Sequence, residues 1–239
     1  MTYAHGYQAL SQKASFIMNL LPFFLVHAQR GQHTMTQLLL GLILFLGIHS
    51  LRVFADGLRN RLIDRLGALG FKGLYSVVSI IGLVLMITGY QIARSDPVVL
   101  YTPPTGMAHA ASLLTLIAFV LLVAAYVPGN IILKKVKHPM TIAVKTWAFA
   151  HLLSNGSLAD LVLFGSFLVW AVLVFRSARR RPPVASPGLT DIPAAIAARP
   201  NSFISSLVTV GVGIGLWAWF AFQGHALLIG VAPFGGMGQ

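Results

Sequence analysis

The residues of this sequence best suited to chemistry are two histidines that lie inside apolar stretches. His49 lies in the segment LFLGIHSLR, and His151 lies in the segment WAFAHLLSNG. An ionisable side chain at membrane depth costs free energy and usually marks a functional site. A neutral imidazole can bind a metal ion or a haem iron, relay a proton, or make a structural hydrogen bond. Which of these roles applies depends on the elements that position the two side chains.

The composition places both histidines in an integral membrane protein. The chain of 239 residues is 56% hydrophobic and 9% charged, with a mean hydropathy of +0.79, whereas soluble proteins carry about 25% charged residues. Its net charge of +12 comes from 17 Lys and Arg residues against five Asp residues. These cations lie in short segments between apolar runs, so they indicate membrane topology and contact with anionic lipid rather than nucleic-acid binding. The lack of cysteine excludes disulfides, thiolate metal sites and covalently attached c-type haem.

The apolar runs predict an all-α integral membrane protein, a bundle of about six transmembrane helices, since a span needs about 20 apolar residues. The runs cover residues 36–54, 73–92, 108–127, 139–154, 158–175 and 203–222. Two glycine pairs predict close helix packing, Gly82 with Gly89 and Gly211 with Gly215. A Pro- and Arg-rich polar linker, 176–200, precedes the last span.

The first 34 residues are predicted to be an N-terminal extension, and residues 35–239 the transmembrane domain. The apolar run of the extension, 16–26, is too short to span a membrane and contains Asn19 and Pro22. The extension could be disordered, an interfacial helix or a poor signal peptide. It could also reflect a mis-assigned start, because Met35 begins a well-formed first span.

The distribution of Lys and Arg predicts the orientation of the chain. The segments after the first, third and fifth spans are rich in these residues, whereas residues 93–107 hold a single cation, Arg94. Cytoplasmic loops carry the excess of Lys and Arg. Both termini are therefore predicted to lie outside.

The same cations predict the depth of the two histidines. Basic side chains near helix ends reach the interface; His49 lies three residues from Arg52, and His151 lies six residues from Lys145. These separations correspond to about 5 Å and about 9 Å, so both imidazoles are expected in the cytoplasmic half at comparable depth. Facing helices could then hold one b-type haem between His49 and His151. Trp147 shares the apolar face of His151, and Arg52 could pair with a haem propionate.

The sequence leaves other roles open for these histidines. They could be hydrogen-bonded structural residues, ligands of another metal, or members of a proton relay, although Asp160 is the only acid near a span interior. His138 lies about 220° around the helix from His151. Because it precedes Pro139, it is predicted to mark a helix start. The roles of His138 and His225 stay open.

Five segments resemble the NnrU family of bacterial membrane proteins. They are GIHSLR (47–52), DPVVLYTPP (96–104), AAYVPG (124–129), KHPM with WAFAHLLSNG (137–140 and 147–156) and HALLIGV (225–231). The resemblance covers about residues 35–236. It implies a multi-pass protein of the bacterial cytoplasmic (inner) membrane that is linked to denitrification, the reduction of nitrite and nitric oxide.

The NnrU family is similar to the plant zeta-carotene isomerase, a membrane haem protein. This similarity implies haem b as a cofactor and His49 and His151 as ligands of the haem iron. The plant enzyme has a cysteine three residues before its second histidine, proposed as an alternative ligand, where this chain has Ala148. A ligand switch of that kind is therefore impossible in this chain, and the resemblance does not extend to isomerase activity.

Two functions are compatible with these observations. One is a haem protein with redox-gated or isomerase-like chemistry, acting on a hydrophobic polyene or a gas. The other is a non-catalytic membrane assembly or regulatory factor without haem, whose basic loops contact denitrification proteins. A transporter is disfavoured, because neither an internal repeat nor a discontinuous helix pair is present. Whether the protein is an enzyme is not decided by the sequence.

Overall fold

The structure, a computed structural model, describes residues 35–180, 200 and 202–234, which form a helical bundle. Its helices are α1 (Met35–Phe54), α2 (Asp56–Ser95), α3 (Met107–Ala124), α4 (Ile131–Val136), α5 (Pro139–Ser154), α6 (Leu158–Arg180), α7 (Phe203–Trp219) and α8 (His225–Ile229). A short π-helical stretch, Phe220–Gly224, joins α7 to α8. The predicted extension 1–34 and most of the predicted linker lie outside the described residues.

The predicted all-α membrane bundle is confirmed. Among the described residues, five helical stretches are long and apolar enough to cross a membrane: α1, α2, α3, α6 and Phe203–Ile229. The remaining predicted span is α5, whose 16 residues extend about 24 Å. That length is short of a hydrocarbon core of about 30 Å. α5 packs between α3 and α6 and is therefore part of the bundle although it is short.

Two helices are longer at their charged ends than the apolar runs predicted. α2 begins at Asp56 rather than at residue 73, with a non-helical kink at Gly67 (φ 71°, ψ 167°). α6 continues to Arg180 rather than ending at residue 175. Leu and Arg are good helix formers, and arginines at a helix C-terminus interact favourably with its dipole. The segment after the first span is therefore helical, although its charges exclude it from the membrane core.

The first glycine pair packs helices closely, as predicted. A Cβ added at Gly82 would lie 2.7 Å from the backbone nitrogen of Phe45, and one at Gly89 would lie 2.6 Å from that of Leu38. Real Cβ atoms do not approach so closely, so α1 and α2 touch backbone to backbone. This contact fixes the position of α1, which carries His49.

The second glycine pair does not pack helices, and that prediction was wrong. A Cβ added at Gly211 or Gly215 would meet nothing within 4 Å. The close contact is made by Gly213 instead, where an added Cβ would lie 2.7 Å from the Cα of Val120 in α3. α7 is therefore turned so that the residue between the predicted pair faces its neighbour.

The antiparallel order of the helices gives the bundle two unlike ends. One end, here called the basic end, gathers the C-termini of α1, α3 and α6 and the N-termini of α2, α5 and α7. Its cations include Arg52, Arg59, Arg61, Arg65, Lys134, Lys135, Lys137, Arg176, Arg179 and Arg180, and Asp56 and Asp64 of α2 lie at the same end. The opposite end, here called the loop end, contains the α2–α3 loop (96–106) and the α5–α6 turn (155–157), with Asp96 and Asp160.

Candidate functional site

His49 is held in α1 by a backbone hydrogen bond and by aromatic rings. Its Nδ1–H donates to the carbonyl oxygen of Phe45, one turn earlier, at 2.6 Å. The imidazole stacks on the ring of Phe45 with centroids 4.2 Å apart, and it meets Tyr75 of α2 and Trp170 of α6 at 5.0 and 6.3 Å. Because Nδ1 is bonded to the backbone, Nε2 is the nitrogen left to bind another group.

The residues after His49 strengthen its link to α6. The Ser50 hydroxyl donates to the carbonyl oxygen of Leu46 at 2.6 Å and accepts from the indole N–H of Trp170 at 3.0 Å. Arg52 lies one turn nearer the basic end, and its Nη1 atom is buried. The HSLR part of the GIHSLR segment therefore places an imidazole and a hydroxyl beside α6, with a guanidinium one turn nearer the basic end.

His151 is held in α5 in the same way. Its Nδ1–H donates to the carbonyl oxygen of Trp147, one turn earlier, at 2.9 Å. Its ring stacks on Phe164 of α6 with centroids 4.4 Å apart and lies 5.1 Å from the ring of Trp147. The predicted Trp147 face is thus present, and Ala148 beside it is fully buried. Here too, Nε2 is the nitrogen left to bind another group.

The two imidazoles lie at different depths, contrary to the expected comparable depth. His151 stacks on Phe164, whereas His49 meets Trp170, six residues along α6, which is about 9 Å further toward the basic end. The prediction failed because Lys145 does not mark the end of α5. It lies near the middle of that helix, and its long side chain reaches the ring of Phe175.

A layer of aromatic rings connects the two histidines. Phe45 lies 5.9 Å from Phe167, and Phe167 lies 5.4 Å from Trp147 between ring centroids. Within the part of the chain that the structure describes, no direct ring contact joins His49 to His151. Nor is any group of three or more His, Asp, Glu or Cys residues in the described ranges placed to hold a metal ion. The site therefore consists of two imidazoles with aromatic side chains between them.

His151 lies beside a junction of two chain-distant segments at the loop end. The amide of Leu158 donates to the carbonyl of Val98, and that of Leu100 to the carbonyl of Gly156, both at 2.8 Å. The Tyr101 hydroxyl donates to the carbonyl oxygens of Asn155, at 2.6 Å, and of Leu152. Partial burial and the charge of Asp160 raise the pKa of the Tyr101 phenol above its ordinary value.

A buried carboxylate completes this end of the site, and sequence reasoning gave it no structural role. Asp160 accepts from the Tyr90 hydroxyl at 2.5 Å and from the amide and hydroxyl of Ser157 at 2.9 and 2.6 Å. The Ser157 hydroxyl in turn accepts from the Asp160 amide at 3.2 Å. This reciprocal arrangement is that of a capping box, and a Ser three residues before an acid at a helix start is its sequence signal.

His138 and His225 occupy separate places. His138 stands immediately before α5, with Pro139 at the first helical position, as predicted. His225 begins α8, and its Nδ1–H donates to the carbonyl oxygen of Val231 at 2.6 Å. His225 and Asp160 both lie within electrostatic range of His151.

Three of the five family-like segments meet at the loop end, and comparison with known proteins gives the chain a family. A protein-family model described as "NnrU protein" matches residues 37–233. The chain belongs to the NnrU family. No curated protein and no solved structure gives a significant match. In this NnrU-family chain, GIHSLR lies at the basic end, whereas DPVVLYTPP, the end of WAFAHLLSNG and HALLIGV lie together at the loop end.

Proposed function

We propose that this NnrU-family protein binds a b-type haem through His49 and His151. The observation that carries the proposal is that both imidazoles make the same backbone hydrogen bond. Each donates its Nδ1–H to the carbonyl one helical turn earlier, which fixes the tautomer that leaves Nε2 as the ligand atom. Two such imidazoles in a cysteine-free membrane bundle form a donor set that haem iron accepts.

The aromatic side chains between the imidazoles match a porphyrin in chemical character. Phe45, Trp147 and Phe167 form an apolar aromatic layer between the two histidines, and a porphyrin is itself flat and apolar. Binding requires this layer to part, because its rings lie between the two ligand side chains. Arg52, one turn from His49, supplies a cation for a propionate.

Bound haem would supply redox and Lewis-acid chemistry toward a diatomic gas or a conjugated double bond. The chain holds the two imidazoles in their tautomers, surrounds them with apolar aromatic rings and offers the Arg52 guanidinium to an anion. Because the NnrU family is linked to denitrification, we connect this site to nitrite and nitric oxide reduction. Because the family is similar to the plant isomerase, we connect the site more loosely to isomerase-like chemistry on a hydrophobic polyene. The proposed location is the bacterial inner membrane, with the basic end cytoplasmic and both termini outside.

The visible spectrum of the purified full chain, produced with haem available, tests the proposal. We expect a Soret band that shifts on reduction, and we expect His49→Ala and His151→Ala each to lose the band or change it. His225→Ala is the matched control, because His225 also bonds a backbone carbonyl through Nδ1 and should leave the spectrum unchanged. A colourless wild-type protein, or an unchanged spectrum in both ligand variants, would contradict haem binding by this pair.

A second candidate function is a non-catalytic membrane factor for assembly or regulation, without haem. It is supported by the exposed cations of the basic end, among them Lys134, Lys135 and Arg176, which could contact an acidic partner. Complementation of a chromosomal deletion separates the two functions. Normal nitrogen-oxide reductase activity with His49→Ala would favour the factor, and loss of activity with a stably produced His49→Ala protein would favour the haem site.

A further inference from the structure

Three basic groups converge on one aromatic ring at the basic end, away from the two histidines of the site. The Nζ of Lys145 lies 3.8 Å from the centroid of the Phe175 ring, and the Cζ of Arg179 lies 5.8 Å from it. The imidazole of His138 meets the same ring edge-on at 5.8 Å. These groups come from the start of α5, its middle and the end of α6, and they are here called the Phe175 cluster.

Lys145 and Arg179 carry the permanent positive charge of this cluster, and the described residues place no carboxylate against either of them. Asp160 is fixed by Tyr90 and Ser157 at the other end of α6, about 22 Å away at 1.5 Å per residue. The face of a phenyl ring attracts a cation but leaves its charge in place. Two neighbouring cations therefore repel each other unless an anion lies between them.

The neighbours of the cluster indicate what kind of anion fits. Lys145 is half-buried between helices, whereas Arg179 and Arg176 are exposed. Immediately toward the membrane, Val172 and Leu173 are 38% and 40% exposed. Cations at a helix end above exposed apolar side chains match a molecule with a charged head and a hydrocarbon tail.

We propose that the Phe175 cluster binds the phosphate headgroup of an anionic phospholipid, with its acyl chain lying along α6. Lys145 and Arg179 contact the phosphate oxygens, and the Phe175 ring holds both cations in place. The acyl chain covers Val172 and Leu173. This site is independent of haem binding, because it shares no residue with the His49 and His151 surroundings.

Lipid titration of the delipidated full chain in detergent, followed by native mass spectrometry, tests the proposal. We expect phosphatidylglycerol to bind at least about tenfold more tightly than phosphatidylcholine, and Lys145→Met and Arg179→Gln each to weaken phosphatidylglycerol binding about tenfold. Arg61→Gln is the matched control, since Arg61 is an exposed cation on α2 and its loss removes the same charge. Equal binding of the two lipids, or an equal loss in the control, would overturn the proposal.

Two further arms distinguish a lipid site from a folding defect and from a site for soluble anions. Lys145→Arg keeps the charge and should keep most of the lipid binding, so a loss there equal to that of Lys145→Met would show a folding defect and overturn the assignment. Inorganic phosphate at the lipid concentration should leave the bound lipid in place. Displacement by inorganic phosphate would identify the ligand as a soluble anion and contradict the lipid.

Discussion

The loop end and the basic end of the bundle hold their histidines by different means. At the loop end, backbone hydrogen bonds join residues 98–101 to residues 156–158, and the buried carboxylate of Asp160 closes the turn beside His151. At the basic end, His49 rests on aromatic rings and on one side-chain hydrogen bond between Ser50 and Trp170. The loop end is therefore held by hydrogen bonds between distant backbone segments, whereas the surroundings of His49 depend on the close packing of α1 against α2 and on side-chain contacts.

The largest effect that would separate the two ends is expected at Gly156. A Cβ added there would collide with the carbonyl oxygen of Tyr101, so Gly156→Ala must push the α2–α3 loop away from the α5–α6 turn. We expect a loss of about 3 kcal/mol, the upper part of the range for overpacking, measured as a lower melting temperature in detergent.

Gly165→Ala is the control for this substitution. A Cβ at Gly165 would meet Leu161 Cδ1 at 3.8 Å, an ordinary contact, so its melting temperature should stay near that of the wild type. Equal melting of the two variants would show that the junction beside His151 is not tightly fixed.

A smaller effect is expected from the carboxylate of the loop end. Asp160→Asn weakens the acceptor shared by Tyr90 and Ser157, and we expect a loss of about 2 kcal/mol, within the range for a buried hydrogen-bonded group. Tyr90→Phe removes a single donor and should lose about 1 kcal/mol. Hydrogen exchange should report faster opening at residues 155–161 in Asp160→Asn, and unchanged exchange there would contradict the role of this network.

The smallest effect is expected at the basic end, from the Ser50–Trp170 pair. Side-chain hydrogen bonds between membrane helices contribute about 0.6 kcal/mol on average, so Ser50→Ala and Trp170→Phe should each destabilise only slightly through this bond. A double-mutant cycle measures the coupling energy between Ser50 and Trp170. A coupling energy near zero would show that His49 is placed without help from this bond. A value well above about 1 kcal/mol would show that hydrogen bonding holds the basic end as firmly as it holds the loop end.

The all-helical membrane bundle and the position of α5 followed from the sequence because apolar runs and stop signals are local properties. Pro139 and the Asn155–Gly156 pair bound α5 where the sequence predicted. The charged extensions of α2 and α6 were missed because hydropathy detects the membrane core, not the helix that continues beyond it. The true contact at Gly213 was missed because the rotation of α7 depends on α3.

The candidate site was only partly predictable for the same reason. His49 and His151 stood out by their apolar surroundings, and Trp147 was placed correctly beside His151. Their relative depth was predicted wrongly, because Lys145 reaches the ring of Phe175 from near the middle of α5 and so does not mark the membrane boundary at its own position. Phe167, Trp170 and Tyr90 join the site through tertiary packing and carry no local signal.

Electron paramagnetic resonance of the oxidised, haem-loaded full chain tests the central claim most directly. If His49 and His151 both bind the iron, the wild-type protein should give the low-spin ferric signal of two imidazole ligands. His49→Ala and His151→Ala should each convert it to a high-spin signal or lose the haem, while His225→Ala keeps it. A high-spin wild-type signal, or a low-spin signal that survives loss of either histidine, would contradict the claim.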